Sequence, residues 1–240
     1  MPASRNVAFV GPTYAPIADT SLIERAGFEP CAPARRGDMD ALDGEPGVAV
    51  LVDGRFNHAL AVGHAELRRA VERGWSVWGL SSMGAIRAYE LRNLGVRGFG
   101  NVYAHFLAAD DFQDDEVALM HAPTAPYETF SEPLIHIRYC LAEMVRLGEI
   151  DSGVARRTAG YLKSQWFAAR TLDGFVAALT TFGGDVAANS ARAHVARFDQ
   201  FRVKTKDLIA FFAEQPWRST SYIATPAPAP FLDSLTEDAA

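Results

Sequence analysis

The chain has 240 residues, and the 49% that are hydrophobic can bury the core of one large domain, alone or with a helical appendage. A formal net charge of -6 at pH 7 disfavours a nucleic-acid-binding surface. Two cysteines are too few for a disulfide framework. No apolar run is long enough to span a bilayer, and no signal peptide is recognised. We therefore expect a soluble cytoplasmic protein.

Short apolar runs alternate with helical patterns over the first ninety or so residues. The β-branched run at 48–52 is typical of a strand buried on both faces. Strands are predicted at 6–10, 28–32, 48–52 and 75–80, with helices starting at Ser21 and covering 37–42, 63–73 and 83–94. This alternation predicts an α/β fold, Rossmann-like or flavodoxin-like, with a mostly parallel sheet and flanking helices.

The pattern changes after Gly95, where a glycine- and aromatic-rich stretch at 98–106 precedes an acidic cluster. Ser131 and Glu132 are predicted to cap a long helix that ends near Leu147. A further strand is predicted at 117–120, and further helices at 154–166, 171–181 and 186–212. The predicted domains are an α/β core at 1–150, a helical C-terminal region at 151–222 and a flexible proline-rich tail at 223–240.

Residues 77–91 carry the most informative local pattern: a buried strand, a sharp turn with Ser81 and Ser82, and a helix. A serine at such a turn projects its hydroxyl from the carboxyl edge of the sheet, and the first helix amides point at whatever binds there. This layout resembles a nucleophile elbow, although G-x-S-x-G is absent because the glycines near Ser82 stand at 79 and 84. An ordinary tight turn and helix cap accounts for the same serines.

A site is expected at the carboxyl edge of the sheet, because ligands of parallel sheets bind beyond those strand ends. Residues 11–13, 53–54 and 81–82 all fall there. His64, at a helix start, could be a base, or simply a partly exposed histidine. Glu66 lies two residues on, does not share its helix face, and so makes a poor metal-binding partner.

The acidic cluster at 110–116 fits no EF-hand spacing and is more typical of a solvated loop than of a Mg²⁺ site, so no metal is predicted. Asp115 and Glu116 could instead orient His121, or pair with Arg87 or Arg138.

Arg87 and Glu90, three residues apart on a helix, could form an ordinary surface pair. Arg87 could equally bind a carboxylate or thiocarboxylate, and Arg138 is open to the same two interpretations. Cys140 is predicted in the core, and neither it nor Cys31 has a partner at metal or redox spacing. No Walker A motif or strand-coupled G-x-G-x-x-G occurs, so no nucleotide or other cofactor is predicted.

Taken together, the order of these motifs resembles the TfuA-like family over roughly residues 6–150. Two positions depart from the usual pattern: Ala65 stands where the family usually has a lysine, and Pro133 with His136 where it tends to have smaller or amide residues. The matching blocks are 9–13, 52–56, 62–67, 79–91 with Ser82-Met83-Gly84-Ala85, 114–118, 121–123 and 131–138.

The resemblance implies an accessory protein of YcaO-family enzymes, which use ATP to activate a peptide amide oxygen that sulfur then replaces. It implies a hydrolase that releases sulfide from a thiocarboxylated ubiquitin-like carrier and helps YcaO engage its peptide. The expected partners are the YcaO protein and the carrier, with the precursor peptide contacted indirectly. The alternatives are a non-catalytic adaptor that binds and activates YcaO and, ranked lowest, a generic serine hydrolase.

Hydrolysis of a thiocarboxylate needs a nucleophile or activated water, a base and an oxyanion site. Ser82 or a water would attack the acyl carbon, and His64 or His121 would be the base, oriented by Asp53 or Glu116. These five residues are the catalytic candidates.

Substrate contacts are predicted around the same motifs. The amides of Met83 and Gly84 would stabilise the oxyanion, while Arg87 or Arg138 would neutralise the C-terminus of the carrier. The substrate-binding candidates are Gly11, Thr13, Ser81, Met83, Gly84, Arg87, Glu90, Asp115, Glu132 and Arg138.

Overall fold

The computed structural model describes residues 4–17, 19, 21–55, 60–108, 113–219 and 222. The chain packs into two compact units. Within the described ranges, the first unit covers 4–108 together with 204–219 and 222, and is called the α/β unit. The second covers 113–203 and is called the helical unit. Compact packing does not show which parts fold alone, so the predicted domains stay predictions. The predicted tail lies outside the described residues.

Five parallel strands form the sheet of the α/β unit, in the order β2-β1-β3-β4-β5. This order confirms the predicted α/β class with a flavodoxin-like parallel sheet. Its winding reverses between β1 and β3, which is where such sheets usually place a ligand crevice. The strands are β1 Val7–Phe9, β2 Glu29–Cys31, β3 Val48–Leu51, β4 Ser76–Leu80 and β5 Arg97–Phe99.

Helices flank this sheet and build the other unit. The α/β unit has α1 Leu22–Arg25, α2 His64–Glu72, α3 Met83–Glu90 and α4 Gly100–Ala108, and takes α8 Val203–Glu214 from Lys204 onward. The helical unit has α5 Leu134–Arg146, α6 Ser152–Ser164 and α7 Leu172–Val195, the last interrupted at Gly184 with φ 76°. No helix within the described ranges is long and apolar enough to cross a membrane.

Two predicted elements are wrong. Residues 37–42 form turns instead of a helix, since Gly37 has φ 93° and its amide donates to the Glu66 carboxylate at 2.8 Å. Residues 117–120 pair with no strand. Val117 and Ala118 are buried, so the start of this apolar run packs in the core without forming a strand.

Two predicted helix boundaries are also corrected, and two elements are missing from the prediction. The predicted helix at 186–212 is broken, because α7 ends at Val195 and the 3₁₀ turn Phe198–Phe201, whose two phenylalanines are buried, precedes α8. Helix α5 begins after Pro133, and the Ser131 hydroxyl accepts the Met120 amide at 2.8 Å instead of capping the helix. The stretch at 98–106 belongs to β5 and α4, which the sequence did not predict.

One face of the sheet packs against α8 and the α1–β2 segment. The rings of Trp78 and Phe99 meet Phe211 edge to face, with centroids 5.6 and 5.3 Å apart. The buried residues of this core are Ala8, Val10, Ile23, Phe28, Val50, Val52, Trp78, Leu80, Phe99, Leu208, Phe211 and Phe212.

Glycines allow α3 to approach β3 and β4 closely. A Cβ at Gly84 would lie 1.8 Å from the Leu51 carbonyl oxygen, and one at Gly79 would lie 2.0 Å from the Gly84 oxygen. The Gly84 amide donates to the Val52 carbonyl at 3.1 Å, which fixes the start of α3 against the end of β3. The glycines flanking the serine turn therefore permit backbone packing.

We predict that Gly84→Ala destabilises the protein by about 1–3 kcal/mol or more, because backbone atoms that cannot rotate aside must move. The measurement is the free energy of unfolding in denaturant. Gly160→Ala is the matched control, because Gly160 lies in α6 with nothing within 4 Å of an added Cβ. That variant should gain up to about 1 kcal/mol from helix propensity. Equal effects at the two glycines would contradict this assignment.

Candidate functional site

Asp53 braces the turns that follow β1 and β3. Its Oδ2 accepts the amides of Gly11 and Thr13 at 2.8 and 3.1 Å, and its Oδ1 accepts the Thr13 hydroxyl at 2.7 Å. The side chain is buried. Three predicted site residues therefore meet at the point where the sheet winding reverses. Within the described part of the chain, Asp53 makes no hydrogen bond to a histidine.

The serine turn is strained at Ser81, not at Ser82. Ser81 has φ 64°, and the Ser82 amide donates to the Leu80 carbonyl at 2.7 Å, which makes a tight γ-turn. The Ser81 hydroxyl is fully buried and donates to the Lys204 carbonyl at 2.8 Å. The Ser82 hydroxyl, in a residue 4% exposed, has no hydrogen-bond partner among the described residues.

Only one of the two predicted oxyanion donors is open. The Gly84 amide is bound to Val52, and the amides of Ala85 and Ile86 point to the Ser82 carbonyl. The Met83 amide makes no hydrogen bond within the described ranges. A single amide is a weaker oxyanion site than the pair that the sequence suggests.

The first turns of α8 lie at the same edge of the sheet. The sequence alone does not predict any of their residues as part of the site. The Thr205 hydroxyl donates to the Thr13 carbonyl at 3.0 Å, and Lys204 is 1% exposed. Asp207 accepts the amides of Asn101 and Val102, each at 2.9 Å, at the start of α4. Burial raises the pKa of Asp207 to about 6 despite these hydrogen bonds. These contacts span 105 to 192 residues, so no local pattern reveals them.

His64, Arg87 and Glu90 form a second group, between the start of α2 and the later turns of α3. The His64 Nε2 lies 2.7 Å from Oε2 of Glu90, and Nη1 of Arg87 lies 2.6 Å from the same oxygen. The Nε of Arg87 donates to the Val62 carbonyl at 3.0 Å. The His64 side chain is 56% exposed. This group thus holds an accessible imidazole against a carboxylate.

The structure does not pair His64 with Ser82. Glu90, which binds His64, follows Ser82 by eight residues, or about 12 Å along an α-helix axis. His64 therefore meets α3 beside Arg87 and Glu90, away from the serine turn. Its predicted role as the base for Ser82 stays a prediction.

In the helical unit, Glu116 pairs with Arg138, one of the two arginines considered for it. The guanidinium forks onto both carboxylate oxygens at 2.9 and 2.8 Å, and both side chains are at most 5% exposed. The Lys163 amine lies 3.7 Å from the same carboxylate. Glu116 is therefore engaged by two cations of its own unit.

Asp115 is held by Arg170, which sequence reasoning missed. Nη2 and Nη1 of Arg170 donate to the side chain and the backbone carbonyl of Asp115 at 2.6 and 2.7 Å. The same guanidinium donates to three carbonyls at the end of α6, those of Leu162, Lys163 and Gln165. Among the described residues, no three histidine, cysteine or acidic side chains cluster as a metal site would require.

Glu132 and His121 are the remaining candidates, both in the helical unit. Burial opposes ionisation of Glu132, but the His136 hydrogen bond at 2.9 Å and the charges of His136 and Arg202 outweigh it and lower its pKa. The Nδ1 of His121 lies 2.7 Å from the Ala122 carbonyl, so Nδ1 carries the hydrogen and Nε2 is the basic nitrogen. His121 makes no described hydrogen bond to Glu116.

Comparison with known protein families tests the resemblance that the sequence motifs suggest. The sequence model of the TfuA-like protein family matches residues 53–171. Over this span the chain belongs to the TfuA-like family. The match begins at Asp53 and includes the serine turn, the acidic segment and Arg170. It does not cover the part of the predicted resemblance that precedes residue 53, and it extends past 150. No curated protein matches the chain.

The raised pKa of Asp207 predicts a pH-dependent stability. Its folded pKa of about 6 exceeds the unfolded value of about 3.8, so the unfolded chain loses the proton first as pH rises. The unfolding free energy of the wild type should therefore fall relative to Asp207→Asn between about pH 4 and 6, by up to about 3 kcal/mol. Denaturant titrations at several pH values measure this. The exposed Asp185→Asn is the control, and a pH-independent difference would contradict the prediction.

Removing the Glu116 charge should be costly. Glu116→Gln leaves the buried Arg138 guanidinium without its counter-charge, which costs about 3–5 kcal/mol of unfolding free energy. Adding Arg138→Met should recover part of that loss in a double-mutant cycle. Glu143→Gln, which breaks a more exposed pair with Arg146 on α5, should change stability little. Equal losses at Glu116 and Glu143 would show that Glu116 is not a buried anchor.

Proposed function

We propose that this TfuA-like protein assists a YcaO-family enzyme in peptide-backbone thioamidation. In this proposal it releases sulfide from a thiocarboxylated ubiquitin-like carrier and helps the enzyme engage its peptide. The family match over residues 53–171 supports an accessory role, because TfuA-like proteins are known in general as partners of YcaO proteins.

The observation that carries the hydrolytic part is the group of His64, Arg87 and Glu90. Of the two histidines considered as bases, His64 is the one with a carboxylate partner among the described residues. An exposed imidazole held by a carboxylate suits a general base that activates water against an acyl substrate such as a thiocarboxylate. A hydrolase acting on an acyl–sulfur bond is the reaction class that fits this pair.

A non-catalytic adaptor is the second candidate. It is favoured by the engagement of Asp53, Ser81 and the Gly84 amide in contacts that hold the fold. It is also favoured by large exposed apolar side chains in the helical unit: Trp166 is 65% exposed, and Tyr161 is 47% exposed. Under this alternative, such side chains bind YcaO and no sulfide is released.

The test is sulfide release from a thiocarboxylated carrier protein, measured with and without a YcaO partner. We expect the wild type to release sulfide at a rate proportional to its concentration, while the carrier alone stays intact. A folded wild type that releases none in either condition would refute the hydrolytic proposal.

The adaptor alternative has its own readout, which is binding to YcaO. Trp166→Ala would weaken that binding, whereas Leu94→Ala, which removes a 49% exposed leucine of the α/β unit, is the matched control. Binding lost in the Trp166 variant, together with no sulfide release by the wild type, would favour the adaptor.

A further inference from the structure

The ring of His64 is oriented by its partner. An ionised carboxylate only accepts hydrogen bonds, so the 2.7 Å contact between Nε2 and Glu90 places a hydrogen on Nε2. In the neutral ring, Nδ1 then keeps the lone pair and is the nitrogen that can take a proton. Because the side chain is 56% exposed, a substrate and a water can reach the ring.

The Glu90 carboxylate is itself fixed. Arg87 donates to the same oxygen that contacts His64, at 2.6 Å, and its Nε is anchored on the Val62 carbonyl just before α2. The Arg87 side chain is only 16% exposed. An ordinary surface pair lacks such an anchor, as Arg68 and Glu72 on α2 show, where both side chains are more than half exposed.

The serine turn lacks the same support. The Ser82 hydroxyl has no hydrogen-bond partner among the described residues, and His64 is committed to Glu90. The nearby Asp53 carboxylate accepts three hydrogen bonds from Gly11 and Thr13. A serine without a base at hydrogen-bond distance is a weak nucleophile.

We propose that Glu90, held by Arg87, is the positioning residue of His64, and that His64 is the general base that activates water for sulfide release. This inference rests on the proposed hydrolytic function. It assigns Glu90 and Arg87 to orienting the base, whereas the sequence alone predicts them as substrate contacts. Glu90 thereby takes the part that the sequence analysis gives to Asp53 or Glu116.

The reaction balances with water as the only co-reactant. The water oxygen forms the new bond to the acyl carbon while Nδ1 of His64 takes one of its protons. The carbon–sulfur bond then breaks, its electron pair leaves on sulfur, and the imidazolium returns the proton to sulfur. The new carboxylic acid gives up the second hydrogen of the water, and the hydrosulfide takes up that proton. A thiocarboxylate and water thus become a carboxylate and hydrogen sulfide.

The test is steady-state sulfide release by the full chain acting on a thiocarboxylated carrier. His64→Ala should lower kcat by about 10²–10⁴-fold, and added imidazole should restore part of the rate. Glu90→Gln should lower kcat at least about tenfold while KM changes little, because an orienting group acts on the chemical step. Arg87→Gln should act in the same direction with a smaller effect. Glu72→Gln on α2 is the matched control and should leave both constants unchanged.

A second measurement follows the ring directly. Nitrogen NMR of labelled His64 should show the hydrogen on Nε2 in the wild type and a mixture of tautomers in Glu90→Gln. This readout needs no turnover, so a variant that merely fails to fold is recognised separately.

The outcomes that overturn the inference are distinct. A rise in KM with unchanged kcat in Glu90→Gln would make Glu90 a substrate contact. A loss in Ser82→Ala as large as that in His64→Ala would return the nucleophile role to Ser82. Release by the wild type that is insensitive to His64→Ala refutes this inference alone. No release by a folded wild type, even with YcaO present, refutes the proposed hydrolysis and this inference together.

Discussion

The α/β unit depends on the close approach of α3 to β3 and β4. Gly84 and Gly79 allow it, because any Cβ at either position would overlap backbone atoms of the neighbouring segment. The approach brings the Gly84 amide to the Val52 carbonyl and leaves so little room that the connecting turn strains Ser81 to φ 64°. The conformation of the serine turn is therefore a consequence of packing, and the glycine spacing around it needs no catalytic cause.

The contacts that build the carboxyl edge also occupy most of its polar groups; among the described residues, the Ser82 hydroxyl and the Met83 amide are the exceptions. Asp53 satisfies two amides and a hydroxyl, Ser81 donates to the first turn of α8, and Thr205 from that turn binds the Thr13 carbonyl. Buried polar groups need such partners, since an unpaired one costs about 1–3 kcal/mol. These side chains are consequently engaged in holding the edge together, while the more exposed His64 imidazole, at the start of α2, contacts Glu90 of α3.

The elements that the sequence predicts well are those with a local cause. The apolar run of β3 and the helical periodicity of α2 and α3 can be read from neighbouring residues. The sequence of β5 and α4 is rich in glycine and aromatic residues and shows no such pattern. The predicted strand at 117–120 is wrong because a short apolar run is as typical of a partly buried loop as of a strand. The partners of Asp207 and His64 stand 105 and 26 residues away, so only the tertiary fold reveals what either side chain does.

In the acidic segment, the neighbouring carboxylates of Asp115 and Glu116 bind different arginines of the helical unit. Glu116 is buried, and a carboxylate removed from water needs a counter-charge, which Arg138 supplies. Asp115, with 35% of its side chain exposed, is paired with the buried Arg170. The motifs of the TfuA-like match therefore divide by exposure. The buried ones bind backbone groups or counter-charges and so stabilise the fold. His64 is different, because one side of its ring contacts Glu90 while more than half of the side chain is exposed to water, where it can exchange a proton.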